Sequence, residues 1–472
     1  MGTRSESDAL GIQTSLAKMK KSIITLIVLQ VLATVAAAFG IVEREAVFFV
    51  TAVLVIFTAL RPLEEGLILF ILSIPFFFAL PFSESFDSMA NWRVLSSILF
   101  LKYLYAEGWL IGRSFKSIRI KLSELYRSKL FWAAFVFLGW GFLSALLAPY
   151  PVIGIKKVIF LGNIFALFPI VRYVMSKGYA AYGLSVVRFV LYTVLGVGFL
   201  QLASLFFIPL ERFWRFWAGH VIPIFYGYNL GELLQTSNTW FASAGDGPPV
   251  LRMFSVFPDS HSFAMLIMMG LTVLVANYPA STHSPRFGFG EADIGQANRF
   301  SDPSRQPKIL DLKYIIPVIF AFLALVFSGS RGVWVSAVTV ALFIGAGYIW
   351  LYKKEPAQYF EFRYLMKKTL ALFLLFGILF LPASFITSLS QRAQGANADS
   401  LVSLKRVKSI TDLEEISNRS RLQIWKAALN TVVSRPVFGV GFGNFSIALG
   451  EDISASRRGA SAHNLYLDLA GE

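Results

Sequence analysis

Residues 314–354 read YIIPVIFAFLALVFSGSRGVWVSAVTVALFIGAGYIWLYKK. Two long apolar runs flank a short polar turn, Ser328, Gly329, Ser330 and Arg331. A chain inside a bilayer must satisfy its own backbone hydrogen bonds, so runs like these cross as helices. A spanning helix needs about 20 mostly apolar residues. The stretch therefore reads as a helical hairpin through a membrane, with Arg331 in the closing turn. Gly329 and Gly332 are expected to let the backbone reverse tightly.

The same pattern recurs outward from this hairpin. Apolar runs cover 23–39, 46–60, 66–82, 94–111, 130–148, 158–175, 184–210, 253–277, 314–327, 332–352 and 369–389. A further run begins at Asn464 and meets the end of the sequence at Glu472, which reads as a truncated span. The expected fold class is all-α, a polytopic membrane helical bundle of about 12 transmembrane helices. Composition agrees: 56% of the 472 residues are apolar and only 15% charged. A soluble domain carries roughly a quarter charged residues. There are no cysteines, which removes disulfides, thiolate catalysis and cysteine-ligated metal. The polar head 1–22 is too long for a cleaved signal peptide, so the run after it reads as a first span.

Basic residues set the orientation. They concentrate in the arm 1–22 (Arg4, Lys18, Lys20, Lys21), after span four (Arg113, Lys116, Arg119, Lys121, Arg127, Lys129), after span eight (Arg286, Arg299, Arg305, Lys308, Lys313) and after span ten (Lys353, Lys354, Arg363, Lys367, Lys368). Strict alternation of spans puts all four groups on one side, the cytoplasmic side by the positive-inside rule. This explains much of the net charge of +15 without nucleic acid, and membrane lipids become natural partners.

The expected organisation is a cytoplasmic arm 1–22, transmembrane helices in 23–210, a periplasmic loop 211–252, transmembrane helices in 253–389, a large periplasmic loop 390–463, and the start of a further span in 464–472. The first outer loop is rich in aromatics, among them Phe213, Trp214, Trp217, Tyr226 and Trp240, a residue type that favours the membrane–water boundary. The second holds an amphipathic helix: Leu422, Trp425, Leu429, Val432 and Val433 recur at helical spacing against Arg421, Lys426 and Asn430, and Pro436 ends it. It lies on the outer surface or caps the bundle. Residues 281–307 are polar and rich in Gly, Pro and Ser, as a cytoplasmic loop would be.

A charge at membrane depth costs roughly 2.5–3.5 kcal/mol on insertion scales. Those retained near span ends are therefore candidates for function. On the outer side they are Arg252, in LRMFSVFPDSHSFA, Arg331, in FSGSRGVWVS, and Lys156 and Lys157 at the head of span six. A guanidinium presents five donors in a planar fork that suits phosphate oxygens. An arginine snorkelling to lipid headgroups explains the same position equally well. Asp259 and His261 read as buried polar partners and not as metal ligands, because two candidates on one helix face do not make a site. His463 stands at the outer boundary just before the last run; histidine can take a proton from a hydroxyl. In RPVFGVGFGNF, Gly439, Gly441 and Gly443 alternate. Close backbone packing and an amide cradle for phosphate both remain open.

The pieces SRLQIWKAALNTVVSRPVFGVGFGNF and AHNLYLDLAGE, with FSGSRGVWVS, resemble the O-antigen ligase and polymerase superfamily. LRMFSVFPDSHSFA resembles that family's earlier arginine motif, although PDSH stands where a small Asn/Gly-rich stretch is usual. The motifs cover 252–472, while the first half matches in span count alone. The resemblance implies a metal-independent membrane glycosyltransferase without cofactor. Its donor is a glycan on undecaprenyl pyrophosphate, and its acceptor is lipid A–core or another lipid or polysaccharide at the periplasmic face. On this reading Arg252 and Arg331 grip the pyrophosphate, and His463 is the catalytic base. Arg421 orders the helix of the outer loop or touches phosphate. A polymerase of the same superfamily is one rival. A transporter or flippase is another, predicting repeats and midplane charges, for which Lys102 is the deepest candidate.

Overall fold

The computed structural model describes residues 4–84, 86–107, 129–236, 240–242, 249–276, 312–354, 370–394, 416–448 and 464–472. The described chain is mostly helical. In chain order the helices are α1 (Arg4–Ala38), α2 (Ala46–Leu60), α3 (Leu63–Leu72), α4 (Trp92–Ala106), α5 (Lys129–Leu146), α6 (Pro151–Val174) and α7 (Ala180–Ser204). Then come α8 (Leu210–Phe216), α9 (Ile222–Tyr226), α10 (Tyr228–Thr236), α11 (Ser260–Ala276), α12 (Leu312–Phe327), α13 (Arg331–Lys354), α14 (Phe380–Ala393), α15 (Ile416–Ser434), α16 (Phe445–Ala448) and α17 (Leu465–Gly471). Among the described residues, five helical stretches are long and apolar enough to cross a membrane: Lys21–Ala38, Lys129–Leu146, Pro151–Tyr179, Gly183–Ser204 and Leu370–Ala393. Three shorter apolar helices, Ala46–Leu60, Ser260–Leu274 and Ile315–Phe327, accompany them. Large apolar side chains point outward, with Leu60 and Phe343 each 80% exposed. A surface of this kind is costly in water and neutral against lipid.

Two apolar cores hold the helices together. One draws on α7, α11, α12 and the stretch Phe376 to Ala383. The other joins α1, α2, α3 and α4 to the end of α6 and to the segment around Val221–Phe225. The third expected span, 66–82, is not one helix. It is α3, then a 3-10 turn Ile74–Phe76, then strand β1 (Ala79–Leu80), paired antiparallel with β2 (Met89–Ala90). Pro75 lacks the N–H an α-helix would need there. The non-helical backbone is tolerated because protein covers it: Phe78 and Ala79 are fully buried, and Phe78 N donates to Asn91 Oδ1 at 3.1 Å.

The expected eighth span begins late. Helix α11 starts at Ser260, because Asp259 caps it: its Oδ1 accepts from the N–H groups of His261 and Ser262, each at 2.8 Å. Some aromatics of 211–252, Phe213, Phe225 and Trp240 among them, are core residues and not boundary anchors. Trp240 is completely buried, and Phe213 and Phe254 pack in the same cluster. Trp240 stacks on Phe254 at 4.4 Å and meets Trp214 edge-on at 3.9 Å. A loop this long folds on itself and buries its own rings.

Contacts between connecting segments fall into two sets. Glu64 pairs with Lys177 at 2.6 Å, and Lys102 donates to the carbonyls of Thr58 and Ala59, at 2.8 and 3.1 Å, and to that of Arg61. At the other end Arg44 pairs with Asp87, Leu210 N donates to Gln394, and Lys157 meets Glu472. Each contact joins segments that strict alternation puts on one side. Lys102 satisfies the C-terminal carbonyls of α2.

Candidate functional site

Three pieces, distant in sequence, meet behind the turn of the α12–α13 hairpin. The first is strand β4 (Val250–Leu251), paired with β3 (Phe241–Ala242), which delivers Arg252. The Arg252 N–H donates to Trp240 O at 2.7 Å, and that of Met253 donates to Phe327 O at 3.0 Å. The second is the turn 328–330. Gly329 has φ +61, a left-handed conformation that glycine adopts without strain. Gly332 lies inside α13 and is not in that conformation, so one glycine makes the turn and not two. The third is the N-terminus of α11.

The Arg252 side chain is buried and engaged. Its Nε donates to Ser328 O at 2.8 Å and its Nη2 to Ser330 Oγ at 3.2 Å. Ser330 Oγ lies 3.0 Å from His261 Nδ1 and 3.4 Å from Ser260 O. Ser330, itself fully buried, thus joins all three pieces. Arg331 follows it as the first residue of α13 and is partly exposed. The segments bearing the two arginines meet at this turn: Arg252 donates to Ser328 and Ser330, and Arg331 is the next residue. Arg252 thus donates to a carbonyl and to a hydroxyl of the turn.

The turn after Arg252 is clamped. Ser255, at φ +54, is the one described non-glycine residue with positive φ. Such strain persists where surroundings over-determine it, often beside functional sites. Gln201 supplies the constraint from α7: its Nε2 donates to Ser255 O and its Oε1 accepts from Ser255 N, both at 2.8 Å. Ser255 Oγ also donates to Val194 O at 2.7 Å. Tyr226 OH donates to Val256 O at 3.0 Å. Burial, with Asp259 adding to it, raises this phenol above its ordinary value, so it stays neutral. The sequence offered no sign of Gln201 or Ser255. The serines were visible as SGS in an apolar hairpin, and His261 is a part-buried polar partner of Ser330.

The C-terminal pieces form a second assembly. Helix α15 is present where the spacing placed it. Its face of Ile424 and Ala428 packs against Phe445 and Leu467, while Leu422, Leu429 and Val433 are exposed. Arg421 is partly buried on this helix. His463 lies outside the described residues. Asn464 caps α17, its Oδ1 accepting from Tyr466 N at 3.1 Å and Leu467 N at 3.4 Å. The glycine stretch is a packing device. Gly439, Gly441 and Gly443 have φ of +56, +95 and +79, and a Cβ on each would meet Gly471 O at 2.2 Å, Ala148 Cβ at 2.2 Å and Gly154 Cα at 3.0 Å. The positive φ and the close approach to α5 and α6 decide for packing over an open amide cradle. Among the described residues, no group of three or more His, Cys, Asp or Glu is arranged to hold a metal ion.

Residues 316–472 match the family model described as O-Antigen ligase. The matched region contains the Arg331 turn, α15, the glycine stretch and α17, the pieces that carried the resemblance in the sequence. The finding supports the O-antigen ligase superfamily and, with it, a membrane enzyme of the ligase or polymerase type whose partners are a lipid-linked glycan and an acceptor. Arg252 lies before the match. No curated protein and no solved structure matches the chain.

Proposed function

We propose that the protein is an O-antigen ligase-like glycosyltransferase that moves a glycan from undecaprenyl pyrophosphate to lipid A–core or a similar envelope acceptor at the periplasmic face of the inner membrane. The observation that carries this reading is the convergence of Arg252 and Arg331 on one turn, joined through Ser330. Two guanidinium groups at a span end supply the electrostatic stabilisation a departing pyrophosphate requires. Arg252, held by Ser328 O and Ser330 Oγ, places its guanidinium under the turn for it. Arg331, at the edge of the turn, meets the phosphate oxygens with its planar fork.

His463 then accepts the proton of the acceptor hydroxyl as that oxygen attacks the anomeric carbon, with inversion and without a metal. Arg421 orders α15 over the site or adds a contact to phosphate. The chain crosses the membrane with about 12 spans, and the sorting of connecting segments into two sets supports the alternation on which the outward-facing site depends. The retained positions of Lys102 and Lys177 near one end, paired with carbonyls and Glu64, weigh against a transporter, which would need charges at the midplane.

The test is glycan transfer by purified protein in proteoliposomes from a lipid-pyrophosphate donor. His463→Ala should be made at wild-type level and transfer nothing. Near wild-type transfer by that variant ends the base assignment. Lengthening of the carrier-linked glycan, in place of a product on a new acceptor, would select the polymerase.

A further inference from the structure

The segment between α1 and α2 and the short helices after α7 enclose a cavity of ≈ 390 Å³, lined by Glu43, Arg44, Glu45, His220, Pro223 and Tyr228 among others. It is separate from the turn that holds Arg252, and nothing in the glycosyl-transfer reading uses it.

Its frame is held by a buried ion pair. Arg44 donates through Nη2 to Asp87 O at 2.6 Å and through Nη1 to Asp87 Oδ2 at 3.2 Å, and its guanidinium lies 5.0 Å from the centre of the Tyr228 ring. Tyr228 N donates to the same carboxylate, and Asn229 Nδ2 reaches it at 3.2 Å. Gly227 makes this closure possible: at φ +93, any Cβ would sit 2.6 Å from Asp87 Oδ1. Asp87 therefore pairs with Arg44, whose Nη1 and Nη2 are engaged in holding the frame.

What remains for a ligand is acceptor-rich. Glu43 and Glu45 are exposed, and among the described residues neither carboxylate has a hydrogen-bond or ion-pair partner, in a chain of net charge +15. His220 is exposed beside them, with Phe216 behind its ring at 5.6 Å. Pro223, Ile224 and the Tyr228 ring add apolar surface. Two alternative ligand classes fit less well. An anion meets two carboxylates and a cation already paired with Asp87. A metal ion finds no group of three or more His, Cys, Asp or Glu arranged for it among the described residues. A neutral polyhydroxylated ligand meets carboxylates that accept from its hydroxyls, an imidazole that can donate, and aromatic and aliphatic surface for its C–H faces. The volume lies in the range of small-ligand pockets.

We propose that this cavity is a saccharide subsite for neutral glycan units. The inference rests on the proposed glycosyl transfer for the source of the sugar, and extends it by separating glycan recognition from pyrophosphate recognition. The two regions are joined: α9, which contributes Pro223 and Ile224 to the cavity, ends at Tyr226, whose hydroxyl donates to Val256 O, four residues after Arg252.

The test uses the labelled full chain in nanodiscs on an array of neutral and acidic oligosaccharides, with no lipid carrier present. Wild type should capture neutral oligosaccharides. The exposed substitutions Glu43→Ala with Glu45→Ala, and separately His220→Ala, should weaken capture about tenfold, with thermal unfolding unchanged. The subsite is overturned by capture of acidic glycans alone, by no capture, by equal capture in the variants, or by displacement with inorganic phosphate. Arg331→Ala should lose transfer yet keep capture. Transfer missing in wild type while capture persists strikes the enzyme assignment alone, and capture missing while transfer persists strikes the subsite alone.

Discussion

Replacing Ser330 by Ala isolates the contact that unites the two arginine motifs. The hydroxyl accepts from Arg252 Nη2 at 3.2 Å and lies 3.0 Å from His261 Nδ1. A hydrogen bond to a charged group contributes about 1.5–3 kcal/mol. At 3.2 Å the bond sits at the long end of the N–H···O range, so we take about 1.5 kcal/mol. The bond from Arg252 Nε to Ser328 O and the backbone bond from Met253 N to Phe327 O survive the substitution. The fold should therefore persist, and the loss should fall on the orientation of Arg252. Transfer from the lipid-pyrophosphate donor should drop about tenfold, since 1.4 kcal/mol is a factor of ten. Melting followed by tryptophan fluorescence should fall by about 2 °C. Ser336→Ala is the control: that hydroxyl, on the same helix, is exposed and bonds only locally, to Gly332 O at 2.8 Å. Wild-type transfer by Ser330→Ala, or equal damage from Ser336→Ala, would refute the argument.

Four further outcomes follow from the same geometry. Gly441→Ala combines a left-handed backbone, costing about 1–2 kcal/mol, with a Cβ 2.2 Å from that of Ala148, adding about 1–3 kcal/mol of overpacking; it should expose the C-terminal assembly to limited proteolysis, whereas Gly332→Ala, with nothing within 4 Å of its Cβ, should not. Gln201→Leu leaves the buried N–H and C=O of Ser255 without their partners, at about 1–3 kcal/mol each, and should lower both melting temperature and donor use. Arg331→Lys keeps charge but loses the fork, so the KM for donor should rise while the melting curve stays in place. The raised pKa of Tyr226 makes its neutral form a contributor to stability: that contribution is whole below the unfolded value of about 10 and is lost as pH climbs through the folded value, so Tyr226→Phe should flatten the alkaline decline in melting temperature.

Much of the architecture was legible because helical spans leave local marks. Apolar runs placed α1, α2, α5, α6, α7 and the α12–α13 hairpin, and spacing placed α15. The failures share a cause. The interrupted third span looked continuous because Phe76, Phe77 and Phe78 are as apolar as any helix; only the bond from Phe78 N to Asn91 Oδ1 shows how an irregular backbone survives there. Lys102 looked deep because its position was counted from the ends of an apolar run, whereas its amine reaches the last carbonyls of α2. The aromatics of 211–252 were read as a composition, and the burial of Phe213 and Trp240 is a property of the cluster they form.

The sequence by itself pointed to a membrane chain of helices and to two arginines beside apolar runs. These follow from hydrophobicity and charge, which act residue by residue against lipid and water. The tertiary structure decided that Arg252 and Arg331 share one turn, that Ser330 joins them, that Gln201 holds the strained Ser255, and that three glycines serve packing. Those outcomes depend on distances between groups far apart in sequence, 298 residues for Phe442 N and Ser144 Oγ, and no local pattern encodes a distance across the bundle.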